Sequence, residues 1–133
     1  MIKLFIGGKG SGKTKPLIEL VNNAAKTSDG SVVCIEKGDK LKLDITYKAR
    51  LIDTDYYAVT DAEALYGFIA GILASNSDIT DIFVDSALKI VGNDTAAFEA
   101  MLNKLVAITK DVNLVMTASI AVEECPEGIK AYA

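Results

Sequence analysis

Histidine is absent from these 133 residues, so imidazole bases and histidine-ligated metals are excluded from the outset. Cysteine is scarce. Cys34 lies inside an apolar run and Cys125 near the end, which makes no disulfide framework and leaves Cys34 as expected core packing. Arg50 is the single arginine, so planar bidentate contacts to phosphate have one candidate per chain. No apolar window reaches the length of a membrane span, and "MIKLFI" lacks the basic region and long apolar stretch of a signal peptide. A cytoplasmic, reduced protein without membrane attachment is expected. The formal net charge of −4 argues against broad nucleic-acid binding, though not against a local basic patch. Half of the residues are apolar, enough for a core in one domain spanning residues 1–133.

Glycine, by contrast, is concentrated. "GGKGSGKT" runs from Gly7 to Thr14, directly after the apolar "IKLFI". Glycine is costly in regular structure, so four in eight positions need a cause. The spacing Gly7, four residues, Gly12, Lys13, Thr14 fits a loop that wraps its backbone N–H groups around a polyphosphate. Gly7, Gly8, Lys9, Gly10, Ser11, Gly12, Lys13 and Thr14 are thus the expected ligand-binding residues. Lys13 is expected to reach the β- and γ-phosphates, and the Thr14 hydroxyl to ligate Mg²⁺. A helix starting at about Lys13 would direct its positive end at the same anion. Pro16 falls in that helix's first turn, where a missing N–H does little harm.

Further along, short apolar runs alternate with helical periodicity. "SVVCIE" reads as a buried strand ending on Glu36, and "ARLID" as another strand. Between them "KLKLDIT" alternates, with Leu41, Leu43 and Ile45 on one face, as in a half-exposed strand or hairpin arm. Thr60 and Glu63 have capping-box spacing and open a helix with Leu65, Phe68, Ile69, Ile72 and Leu73 in one stripe. "ITDIFVD" is a strand ending on Asp85. A helix then begins near Asn93 or Asp94, with Phe98, Met101, Leu102, Leu105 and Ile108 inward, and "VNLVMTAS" is the last strand. This alternation predicts an α/β fold: a three-layer α/β/α sandwich around a mostly parallel five-stranded sheet. Ligands of such sheets sit at the strand carboxyl ends, which directs attention to Gly7–Thr14, Glu36, Asp85 and residues 117–119. Lys37, Lys40, Lys42, Lys48 and Arg50 cluster after the second strand, interleaved with Asp39, Asp44, Asp53 and Asp55, and read as a solvated face.

The order glycine loop, helix, "VVCIE", strand, helix, "IFVDS", helix, "NLVMTAS" resembles the core of the RecA-like ATPases from Ile2 to about Ser119. The chain as a whole is similar to short bacterial ATP-binding proteins, some carrying a twitching-motility label. The histidine-containing motif of the pilus motors has no counterpart here. The resemblance implies ATP and Mg²⁺ as ligands, Glu36 as catalytic base, Asp85 as the magnesium aspartate, and Ser119 or Thr117 as the γ-phosphate sensor. Three functions are in contention: a RecA-like ATPase, slow alone and active as a homo-oligomer; a nucleotide-binding regulatory module with an unknown protein partner; and a small-molecule kinase. The kinase reading suffers from the absence of an arginine-bearing lid.

Overall fold

Each strand contains one of the apolar runs, because an inner strand of a parallel sheet is covered on both faces and needs apolar side chains on both. The computed structural model describes all residues, Met1–Ala133. The elements are β1 (Ile2–Gly7), α1 (Thr14–Thr27), β2 (Ser31–Glu36), β3 (Arg50–Asp53), α2 (Ala62–Ser75), β4 (Ile79–Val84), α3 (Ala87–Ile90), α4 (Thr95–Leu105), β5 (Asn113–Ser119) and α5 (Glu127–Lys130). Single 3₁₀ turns occupy Val106–Ile108 and Val122–Glu124. The five strands form one sheet in the order β1-β5-β4-β2-β3, and every neighbouring pair is parallel. The α/β class and five-stranded sheet match the sequence expectation, with "mostly" parallel sharpened to all parallel.

The two faces are unequally covered. On one side 23 buried residues, including Leu65, Ile69, Phe98, Leu102, Leu105 and Ile129, join the sheet to α2, α3, α4 and α5. On the other side a cluster of only 8 buried residues sits under α1, centred on Leu17 and Val21. Cys34 belongs to the smaller cluster and Cys125 to the larger, and both are free thiols. No helix is long and apolar enough to cross a membrane.

The "KLKLDIT" expectation is corrected. Residues 40–45 form turns, in which the Leu41 carbonyl accepts the amides of Asp44 (2.9 Å) and Ile45 (3.0 Å). Leu41 and Ile45 share a face because they are one helical turn apart, and they bury against α1, while Leu43 is 93% exposed. The period-2 pattern and the i, i+4 pattern share those two positions, and Leu43 is where they differ. Asn22 of α1 locks the segment, donating to Asp44 O and accepting from Thr46 N, both at 2.9 Å. The crossover from β2 to β3 is therefore this plug, not a helix.

Helix starts moved by a residue at most. The cap of α2 is Asp61, not Thr60, and accepts from Ala64 N at 2.7 Å; α4 is capped by Asp94, accepting from Ala97 N at 3.0 Å. A carboxylate at the N-cap satisfies one of the helix's orphan amides. Ile108, expected on the same helix as Phe98, falls in the 3₁₀ turn after α4 but still packs against the core.

Candidate functional site

The carboxyl ends of β1, β4 and β5 open into a cleft of about 580 Å³. Its walls come from the loop between β1 and α1, the start of α1, Lys40, the turn after β4, and the end of β5. The loop reaches this position because Gly10 and Gly12 adopt φ of +82° and +83°, where a Cβ would be strained. At Gly7 the limit is space: a Cβ there would lie 2.7 Å from Ser11 Oγ. Of the amides from Lys9 to Lys13, only that of Ser11 donates to another protein group, Gly8 O at 3.1 Å. Helix α1 also lacks a capping side chain, unlike α2 and α4. A run of unengaged N–H groups with a positive helix end behind it suits an anion.

Lys13 lies over this loop, its Nζ donating to Gly8 O (3.0 Å) and Ser11 Oγ (3.2 Å). Lys9, Lys15, Lys40 and Lys89 also line the cleft, and none of the five lysines forms a salt bridge. No carboxylate lines it. In a chain of negative net charge, five unneutralised ammonium groups around one opening make a concentrated positive field.

Asp85 lies behind the floor rather than on the wall. It is 9% exposed, and its Oδ1 accepts from Thr14 Oγ1 (3.2 Å) and Thr117 Oγ1 (3.0 Å) while Oδ2 accepts from Ser86 Oγ (3.3 Å). Ser86 is in the left-handed region at φ +54°, which costs a non-glycine residue about 1–2 kcal/mol. Its amide donates to Thr117 Oγ1 at 2.7 Å, which closes the turn onto β5. Thr14 and Thr117 are thus lining residues of the cleft whose hydroxyls both donate to the Asp85 carboxylate.

The glutamate at the end of β2 is differently employed. Glu36 is 2% exposed; its Oε1 accepts from Lys40 N (3.1 Å) and its Oε2 from Leu41 N (2.9 Å). Burial pushes its pKa above the ordinary 4.5; the two N–H bonds oppose the shift, and the charges of Asp85 and Asp53 add to it. Glu36 does not line the cleft; it ties down the segment that carries Lys40 into it. The neighbouring Asp53 does similar work, accepting from Gly38 N and Asp55 N, both at 2.8 Å.

The expected site residues therefore divide. Lys9, Gly10, Gly12, Lys13, Thr14 and Ser119 line one cleft; Gly7, Gly8 and Ser11 shape its loop; Asp85 stands behind it and Glu36 to one side. Thr117 is buried and bonded to Asp85, whereas Ser119 is exposed at the mouth. Sequence reasoning missed Lys15, Lys40 and Asn93. The basic cluster is not one face: Lys37 pairs with Asp55 at 2.6 Å, Lys40 enters the cleft, and Lys42, Lys48 and Arg50 are exposed. No protein-family model matches the chain, and no curated protein matches it.

Proposed function

We propose that this chain binds a nucleoside triphosphate, ATP in the first instance, with Mg²⁺, as a RecA-like nucleotide-binding domain that hydrolyses its ligand slowly. The observation that carries this reading is the cleft itself: a glycine-rich loop and five lysines, without one neutralising carboxylate, at the carboxyl ends of parallel strands. The meeting of Gly7–Thr14, Asp85–Ser86 and Thr117 at one end of the sheet supports the RecA-like part of the proposal.

Thr14 Oγ1, backed by Asp85 Oδ1, offers hard oxygen donors of the kind magnesium takes alongside phosphate oxygens and water. No group of three or more Asp, Glu, Cys or His side chains is available for a metal caged wholly by protein, so the donor set suits an ion that arrives with the phosphates. Bound there, Mg²⁺ would offset charge on the β- and γ-phosphate oxygens. The protein's own part is to hold the phosphates against the loop amides and Lys13, with Thr14 turned by its bond to Asp85.

A second reading, a binding module that does not hydrolyse, is favoured by Glu36. Both of its oxygens are engaged by backbone amides, and no carboxylate lines the cleft to accept a proton from water. Three measurements test the proposal. Titration with a fluorescent ATP analogue should show binding by the wild type and a loss of at least about tenfold in Lys13→Ala. Circular dichroism should show that Lys13→Ala stays folded, because the side chain touches only its own loop. Unchanged affinity would sink the reading, and phosphate release with Mg·ATP separates the ATPase from the module.

A further inference from the structure

We propose that the cleft recognises a chain of phosphates and leaves the nucleobase unread, so that inorganic tripolyphosphate and any nucleoside triphosphate are equivalent ligands. The proposal rests on the reading that this cleft binds triphosphate, and adds the class of ligand.

None of the 12 residues lining the cleft is hydrophobic. The chain has four phenylalanines and five tyrosines, and none of them lines it. Tyr47, Tyr56 and Tyr57 are exposed but lie elsewhere. A base held in a protein site is normally stacked on an aromatic or apolar surface, and each such stack contributes about 1–3 kcal/mol. That surface is missing here. Apart from the lysines and Thr14, the polar side chains able to touch a base edge are those of Asn93, Ser86, Thr117 and Ser119. Thr117 is occupied with Asp85 and with the Ser86 amide, and a hydroxyl that can donate or accept selects no base, which leaves Asn93 as the one lining side chain with a paired donor and acceptor for a base edge.

What the walls do supply is charge. Lys9, Lys13 and Lys15 come from the loop and the first turn of α1, Lys40 from the segment after β2, and Lys89 from α3. All five lack a carboxylate partner. Three separate stretches of chain thus converge as ammonium point charges, which attract phosphate oxygens without demanding a fixed orientation. Lys40 is the informative member: Glu36 accepts from Lys40 N and Leu41 N, so the backbone that carries this lysine is held beside the cleft.

The test is isothermal titration of the full chain at fixed ionic strength with ATP, GTP, CTP, UTP, inorganic tripolyphosphate and orthophosphate. Tripolyphosphate and the four nucleotides should bind within about threefold of one another, with orthophosphate at least about tenfold weaker. Lys40→Ala and Lys89→Ala, both exposed positions, should weaken tripolyphosphate and ATP by the same factor. Any nucleotide binding about tenfold or more tightly than tripolyphosphate overturns the proposal by itself, as base or ribose is then being read. A loss in either variant confined to nucleotides overturns it too. Failure of every ligand, ATP included, overturns it together with the reading beneath it.

Discussion

Thr14 Oγ1 donates a 3.2 Å hydrogen bond to Asp85 Oδ1 across 71 residues of sequence. The bond ties the start of α1 to the end of β4 and fixes which way the threonine's remaining lone pairs point. Thr117 Oγ1 donates to the same oxygen from β5 at 3.0 Å, so three elements converge on one carboxylate.

Asp85→Asn tests what that carboxylate supplies. The amide keeps an oxygen that can accept from Thr14 and Thr117, so the fold should survive with a loss of about 1 kcal/mol. The charge behind Thr14 disappears. Triphosphate affinity should fall by about 10–100-fold with Mg²⁺ present and much less in EDTA. Calorimetric titration in both buffers decides it, and equal losses would speak against a metal-supporting role.

Glu36→Gln separates anchoring from proton transfer. Oε1 and Oε2 each accept a backbone amide, so the new NH₂ must face an N–H donor, at a cost of about 1–3 kcal/mol for the buried mismatch. The wild-type carboxyl has a folded pKa above its unfolded value, so the folded state holds the proton more tightly. Its contribution to stability is therefore fully present below about 4.5 and is lost as pH rises through the raised folded value. Chemical denaturation from pH 4 upward should show that component in the wild type and not in Glu36→Gln. Parallel pH curves for the two proteins would refute this account of Glu36.

Cys34 and Cys125 should be inert while the chain is folded. Burial first, then the negative charges of Glu36 and Asp85, push the Cys34 thiol up to about 12, and burial raises Cys125 as well. A thiol reagent at pH 8 should label neither residue in native protein and both in denaturant. Rapid native labelling of Cys34 would mean that the small α1 cluster opens readily.

The strands and the loop were legible in the sequence because each rests on local chemistry. "IKLFI" and "IFV" carry apolar side chains on both faces, Gly10 and Gly12 hold positive φ values that favour glycine, and Gly7 has little room for a Cβ beside Ser11. What depends on distant contacts was not legible. Leu41 and Ile45 fit two periods equally, and contacts with distant residues, the α1 cluster around Leu17 and Val21 and the Asn22 hydrogen bonds, decide between them. Lys40 reads as one more solvated charge until Glu36 is seen to hold its amide. The role expected of Glu36 came from its rank in the order of strands. Rank fixes the end of the sheet a residue occupies, but not what its oxygens touch.

Phosphoryl transfer is stabilised by a cation placed against the transferring group. An arginine against the γ-phosphate gains several orders of magnitude in rate. Arg50 begins β3, level with Val33 rather than with the end of β2. Strand β3 lies at the opposite edge from β1, four strand spacings or about 19 Å away. Arg50 sits at the amino end of its strand and is not among the residues that line the cleft of its own chain. The cleft lysines supply charge but not the planar fork that grips two oxygens at once. With no carboxylate on the walls to accept a proton from water, a single chain should turn over Mg·ATP at under about 10⁻² per second. Faster hydrolysis requires a second copy or a protein partner to place a cation across the nucleotide, so specific activity would then rise with protein concentration. Phosphate release measured over a hundredfold dilution (about 0.1 to 10 μM), with mass photometry on the same samples, distinguishes the cases. A brisk rate that is independent of dilution, from a monomer, would show that the lysines suffice.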